Sequence, residues 1–296
     1  MAATIYVNGR ITGEREAVIQ VLDHGFLYGE GVYEVMRTYQ RKPFLYGAHI
    51  DRMRRSAGMI NLTVPFTDAE LLARIEETAA VFYESQGAAG AAAEMYIRVL
   101  LTRGVGQMTY DPAACPVPSL VIIIKPQVDP PAHAYEKGVK VILVPVVRNH
   151  PFSINPLIKS NNLLNNALAS QFAARQGGFE AIMRNYRSEI SECSQSNLFV
   201  VKNGEVLTPP IEAGLLAGIT RAFVFDVGTA CGLTVRETTL HDADLFGADE
   251  MFLTSTTREI VPIVTVNDSQ IGDGVPGAVT RRLLDEFRRQ VAAMDW

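Results

Sequence analysis

Apolar positions along the chain follow two spacings, and each spacing marks a different kind of element. Ile50, Met53, Ala57 and Ile60 fall three or four residues apart, the stripe of a half-buried helix. Leu71, Leu72, Ile75, Ala79 and Phe82 repeat that spacing behind Thr67 and Glu70, a capping-box pair that predicts the helix start. Residues 95–102 and 119–124 are short runs rich in apolar and β-branched side chains, which predict strands. Ile5-Tyr-Val7 and Ile11-Thr12 flank Asn8-Gly9, a pair that accepts positive φ at both turn positions, so the chain opens on a hairpin.

The prolines of Lys125-Pro-Gln-Val-Asp-Pro-Pro131 oppose a helix or a central strand. Residues 126–133 are therefore the expected linker between an N-terminal α/β domain (1–125) and a C-terminal domain (134–296). Beyond it the pattern predicts a strand over 139–147 and a helix over 162–175 that stops at Gly177-Gly178. A second hairpin turns through Asn203-Gly204, and helices near 220–231 and 279–294 bracket a strand at 251–253. Two α/β domains in 296 residues is the coarse expectation.

Composition narrows the class of partner. With 48% hydrophobic and 20% charged residues, the chain has the make-up of a soluble globular protein. Its net charge of −5 comes with no basic block, so no nucleic-acid surface is expected. Cys115, Cys193 and Cys231 are odd in number and form no CxxC pair, which argues against a disulfide framework or a zinc site. The start Met1-Ala-Ala-Thr-Ile-Tyr-Val lacks a signal-peptide layout, and the longest apolar runs are far too short to span a bilayer. A cytoplasmic location with no membrane partner and no metal is the expectation.

The chemistry concentrates around Lys159, in Asn155-Pro-Leu-Ile-Lys-Ser-Asn-Asn. An apolar approach and a polar turn precede it, and a helix-patterned run follows. A lysine held beside an apolar wall can lose its proton and attack an aldehyde; alone, it reads more readily as a solvated lysine at a helix start. Four features accompany it. Glu192, amid small polar residues ahead of a hairpin strand, could keep a heterocyclic nitrogen protonated or simply face solvent. Leu216-Ala-Gly218-Ile219-Thr220 leads into a helix whose N-terminal N–H groups and Thr220 hydroxyl could receive a phosphate, although Thr220 could serve as a cap. Thr254-Ser-Thr256-Thr257 clusters hydroxyls at a strand's end. Arg52 flanks the Ile50–Met53 stripe, where a guanidinium could reach an enclosed anion. An aldehyde for Lys159, a ring nitrogen for Glu192 and a phosphate for the rest describe pyridoxal 5′-phosphate. Gly29-Glu-Gly31 lacks the spacing and strand context of a dinucleotide site.

The ordered set His49-x-x-Arg52, Ile158-Lys159-Ser160, Ser191-Glu192 with Asn197-Leu198-Phe199, Gly218-Ile219-Thr220-Arg221 and Thr254-Ser-Thr-Thr257-x-Glu259-Ile260 resembles the class IV pyridoxal-phosphate aminotransferases. The resemblance implies a fold type IV enzyme with a small N-terminal α/β domain, a larger pseudo-barrel C-terminal domain, and at least a homodimer. It implies that Lys159 joins the cofactor's aldehyde and shuttles a proton between the substrate's α-carbon and C4′. It further implies that Glu192 pairs with the pyridine nitrogen, Leu216 packs on the ring, and Arg52, Ile219, Thr220, Thr256 and Thr257 hold the phosphate. Branched-chain members often have a tyrosine about five residues after the lysine, where this chain has Leu164.

Tyr28-Gly-Glu-Gly-Val-Tyr33-Glu-Val-Met-Arg37 resembles the family's substrate-pocket segment, and Tyr96-Ile-Arg98 matches the Tyr-x-Arg of branched-chain enzymes. Those matches place Tyr28, Tyr33, Arg37, Tyr96 and Arg98 at the substrate. Val35, by contrast, is the residue of the D-specific members, while their Arg-x-His carboxylate trap is missing after Thr102-Arg-Gly104. The resemblance therefore points to transamination of branched-chain L-amino acids with 2-oxoglutarate. D-amino acid or (R)-amine transamination, aminodeoxychorismate lysis and a cofactor-free binding protein are the alternatives.

Overall fold

The computed structural model describes residues 3–90 and 93–294, and the chain divides into two compact units. The first runs to Val128 and takes in Ile158–Asn162; the second comprises Asp129–Leu157 and the chain from Leu163 onward. The short segment bearing Lys159 thus clusters with the first unit rather than with the chain on either side of it.

The first unit holds strands β1 (Thr4–Val7), β2 (Arg10–Gly13), β3 (Gly31–Tyr39), β4 (Lys42–Pro43), β5 (Met95–Thr102) and β6 (Ser119–Pro126). They pair antiparallel in the order β2-β1-β6-β5-β3-β4. Asn8 (φ 48°) and Gly9 (φ 98°) make the two-residue turn that closes Val7 onto Arg10. Helix α1 (His24–Leu27) is a single turn, whereas α2 (Tyr46–Met59) and α3 (Asp68–Gly90) cover one face of the sheet. The predicted stripes Ile50, Met53, Ala57 and Leu71, Ile75, Phe82 meet Val32, Met36, Ile97, Val99 and Ile122 in one core. The capping box forms: the Glu70 carboxylate accepts the Thr67 N–H at 2.7 Å, and Thr67 Oγ1 accepts the Glu70 N–H at 3.2 Å. Strand β6 runs on through Pro126, which pairs with Met95 at the strand's last position, where its missing N–H is tolerated.

The second unit holds β7 (Val139–Leu143), β8 (Glu180–Arg184), β9 (Ile190–Cys193), β10 (Asn197–Lys202), β11 (Glu205–Thr208), β12 (Val235–Glu237), β13 (Glu250–Ser255), β14 (Glu259–Val266) and β15 (Ser269–Gln270). Their order is β12-β11-β10-β13-β14-β7-β8-β9, with β15 on β14. The Cys193 N–H donates to the Ser196 carbonyl at 2.9 Å, turning β9 back beside β10. Inward residues Val139, Val141, Ile182, Cys193, Leu198, Val200, Leu253, Val261 and Ile263 share one core, so these strands curl around it. Helices α4 (Ala132–Glu136), α5 (Leu164–Arg175), α6 (Ile219–Ala230), α7 (Asp242–Phe246) and α8 (Ala278–Ala292) complete the unit. The strand expected over 139–147 stops at Leu143, because Pro145 cannot donate to a ladder. The chain still follows β8, through Val144 N–H to Ile182 O and Arg148 N–H to Arg184 O.

Candidate active site

Lys159 does not open a helix; α5 starts at Leu164, and Lys159 lies in extended chain pinned along β3. Its carbonyl accepts the Tyr33 N–H at 2.9 Å, the Asn161 N–H donates to Gly31 O at 2.9 Å, and Ser160 bridges Val32. From α2, Ser56 Oγ accepts the Lys159 N–H at 3.1 Å. The backbone is therefore tied at several points. The side chain is not: among the described residues Nζ makes no hydrogen bond or ion pair, and it lies 4.6 Å from the centroid of the Tyr33 ring.

Beside this segment, one buried face of α2 presents His49, Arg52 and Ser56. Glu34 of β3, fully buried, accepts Arg52 Nε and Nη2 at 2.7 Å each and meets His49 Nδ1 at 2.7 Å. Burial pushes the Glu34 carboxyl up, but the Arg52 charge, its hydrogen bonds and His49 outweigh it and hold the group at about 2. Burial pushes the His49 imidazole below its ordinary value against the pull of Glu34, with the Arg52 and Lys159 charges adding to the depression. Arg52 thus keeps two of its nitrogens on a carboxylate that no sequence motif singled out. The signal was present: Glu34 shares the core-facing parity of Val32 and Met36, where an unpaired carboxylate would be costly.

In the second unit, Glu192 on β9 is held through its side chain. Arg148 Nε donates to Oε1 at 2.7 Å, the Leu216 N–H to Oε2 at 3.1 Å, and Asn197 Nδ2 reaches Oε2 at 3.4 Å. Arg148 is 8% exposed and also reaches Asn165, yet it stands in an irregular stretch with no sequence signal. Asn197 Nδ2 donates to the Leu216 carbonyl at 3.0 Å, so Glu192, Asn197 and Leu216 form one linked set. Gly218 then caps α6, and Cβ at that position would lie 1.9 Å from Asn197 Oδ1, so only glycine fits. Thr220 does not act as the cap. It sits in the first turn of α6, 2% exposed, with Oγ1 lacking any partner among the described residues. An orphaned hydroxyl beside unpaired helix N–H groups suits a phosphate, and Ile219 contributes its N–H to the same turn. Thr256 and Thr257 occupy the β13–β14 turn, one strand over from Asn197, which pairs with Thr254.

The expected substrate residues gather on the other face of the first sheet. Val35 pairs with Arg98, Arg37 with Tyr96 and Tyr33 with Leu100, so all share one side by the two-residue alternation. The Arg98 guanidinium lies 4.3 Å over the Tyr33 ring, the ring that Lys159 Nζ also approaches. Arg37 stacks on Tyr39 at 4.3 Å. Tyr28 lies apart from that row, between His24 (4.9 Å) and Tyr110 (5.1 Å). Leu164 is 67% exposed at the start of α5.

Each unit carries a part of the chemistry that pyridoxal phosphate calls for, an amine clear of hydrogen bonds in the first and a clamped carboxylate and an orphaned hydroxyl at a helix start in the second, and comparison with known proteins points the same way. Residues 31–266 match the family model of class IV aminotransferases. The chain is a class IV aminotransferase. Enzymes of this class use pyridoxal phosphate. The aminotransferase is 36% identical over 284 residues to a provisionally named branched-chain-amino-acid aminotransferase of Methanocaldococcus jannaschii, covering 96% of this chain and 95% of that one. It is 34% identical over 290 residues to a D-alanine aminotransferase of Listeria innocua, covering 97% and 96%. Its fold matches the branched-chain aminotransferase of the archaeon Thermoproteus uzoniensis, solved with norvaline, with a TM-score of 0.86, 30% identity, and coverage of 99% and 96%. The mixed α/β architecture is thus that of the fold type IV branched-chain aminotransferases. No helix of the described residues is long and apolar enough to cross a membrane.

Proposed function

We propose that this aminotransferase transfers the amino group of branched-chain L-amino acids to 2-oxoglutarate in a ping-pong cycle with pyridoxal 5′-phosphate. The observation that carries the reading is the sharing of the Tyr33 ring by Arg98 and Lys159, which sets a guanidinium and an amine within 4.3 and 4.6 Å of one ring centroid. Arg98 binds the α-carboxylate through its planar fork, and Tyr96 lines the same face one alternation away. That grip aims the α-C–H bond at Lys159 Nζ, which removes the α-proton as general base and returns it at the cofactor's C4′ carbon. Bound pyridoxal phosphate supplies the electron sink for the electrons left on the α-carbon. Glu192, oriented by Arg148, Asn197 and the Leu216 N–H, would hold the proton on the ring nitrogen. In the second unit Thr220 and the Ile219 N–H, with Thr256 and Thr257, would take the phosphate and Leu216 would cover the ring; the family resemblance adds Arg52 to the phosphate's ligands.

Similarity to branched-chain enzymes and the Tyr-x-Arg register support this substrate class. Val35 beside Arg98 and the D-alanine aminotransferase relatives favour a second reading, transamination of D-amino acids. Single-turnover spectra decide between them. Mixing with L-leucine should convert the visible cofactor band within one turnover, and 2-oxoglutarate should restore it. Conversion by D-alanine alone would overturn the L-specific reading. We read the working form as at least a homodimer in the cytoplasm, and sedimentation at micromolar concentration checks the assembly.

A further inference from the structure

We propose that Arg258 and Glu180 are positioning residues for the cofactor, which together fasten the Thr256-Thr257 turn and the loop 192–197 to a single buried carboxylate. The inference rests on the reading that Thr256 and Thr257 take the phosphate while Glu192 meets the ring nitrogen. The turn needs fastening. Arg258 N–H donates to Ser255 O at 3.2 Å, Ser255 pairs with Glu259, and Glu259 has φ 58°. Three-residue hairpin loops of this kind favour glycine at that left-handed position, and a glutamate there is held only if its surroundings hold it.

Two arginines supply the hold. Arg288 Nε donates to the Glu259 carboxylate at 2.8 Å from α8. Arg258 Nη1 donates to Glu180 at 2.6 Å, Nη2 donates to Gln195 Oε1 at 3.1 Å, and the guanidinium lies 5.1 Å over the Phe179 ring. The Tyr135 hydroxyl donates to the Arg258 carbonyl at 3.0 Å. Glu180 is the common anchor. Its side chain is wholly buried and also accepts the Gln195 N–H and the Ser196 hydroxyl (2.9 Å), both in the loop that joins Glu192 to Asn197. The same carboxylate therefore sets where the threonine turn stands and where the glutamate loop stands. Pyridoxal phosphate is rigid between its ring nitrogen and its phosphate, so its affinity depends on the spacing of those two loops being kept.

The test is titration of pyridoxal phosphate into cofactor-free protein, followed by absorbance, alongside the melting temperature of each cofactor-free form. Wild type should bind. Arg258→Met and Glu180→Gln should each weaken binding by about 10- to 100-fold, the range for losing a charge-assisted hydrogen bond. The double variant should be no weaker than the worse single, since both act on one link. Arg258→Lys should recover part of the affinity. If Arg258→Met or Glu180→Gln does not fold, Arg258→Lys and Gln195→Ala carry the test, each expected to weaken binding several-fold. Variants that bind as tightly as wild type, or that lower only the melting temperature, overturn the positioning role. Wild type that takes up no pyridoxal phosphate overturns the cofactor reading and this inference with it.

Discussion

Lys159 and Glu192 are held in opposite ways. The lysine has its main chain tied, by Tyr33 and Gly31–Asn161 bonds along β3 and by Ser56 from α2, while its amine hangs free of any hydrogen bond among the described residues. The glutamate has its carboxylate tied by Arg148, Asn197 and the Leu216 N–H. A group that must travel between two carbon atoms is served by a fixed root and a loose tip. A group that must stay ionised and face one atom is served by a clamped tip. The contrast matches the two roles proposed for these residues, a proton carrier and an electrostatic anchor.

The contrast breaks most sharply at the lysine. Lys159→Ala should lower turnover by at least about 10³-fold and abolish the borohydride-stable adduct, because the proposed function gives this one amine both the aldehyde and the proton transfer. A retained adduct detected by mass spectrometry would move the nucleophile elsewhere. Next in size is the support beneath it. Glu34→Ala removes a carboxylate that takes two hydrogen bonds from buried Arg52 and should cost roughly 3–5 kcal/mol of stability by denaturant titration. An unchanged midpoint would mean that Arg52 finds another partner.

The same cluster predicts a pH dependence. Glu34 and His49 both have folded values below their unfolded ones, so the unfolded chain binds more protons and stability falls with acid. His49 begins the loss as pH drops below 6.5, and Glu34 adds roughly 3 kcal/mol between 4.5 and about 2. A melting temperature that stays flat from pH 7 to 4 would contradict this assignment. At the glutamate, Arg148→Met should leave the backbone in place but loosen the clamp, with turnover falling about tenfold and the cofactor spectrum shifting with pH. The smallest effect belongs to Ser56→Ala, about 1 kcal/mol for one hydrogen bond, read as a few-fold loss in turnover with the affinity for L-leucine unchanged.

Much of this was legible in the residues. Asn8-Gly9, the Thr67–Glu70 box and the two α2 and α3 stripes are local signals, and each forms as its pattern requires. Strand β14 and the end of β7 were not. Pro262 sits inside β14, and the 139–147 run looks uniformly apolar although Pro145 cuts its ladder. For the site, motif order exposed Lys159, Glu192 and Thr220, since each stands beside a turn or a helix start. Arg148, Ser56 and Glu180 carry no such mark. Their importance comes from partners about 40 to 100 residues away in sequence, or from a loop reached across the sheet, and pairing of that range leaves no periodic trace.

Strand β3 carries two different jobs on alternate residues. Val32, Glu34 and Met36 face the helices, while Tyr33, Val35 and Arg37 face the opposite side with Arg98 and Tyr96. A single residue inserted or deleted near Tyr33 would exchange the two sets, turning the carboxylate out of the core and driving an arginine and a tyrosine into it. On the proposed function, substrate range would be tuned in this strand by exchanging side chains on the Val35 side, and not by changing its length.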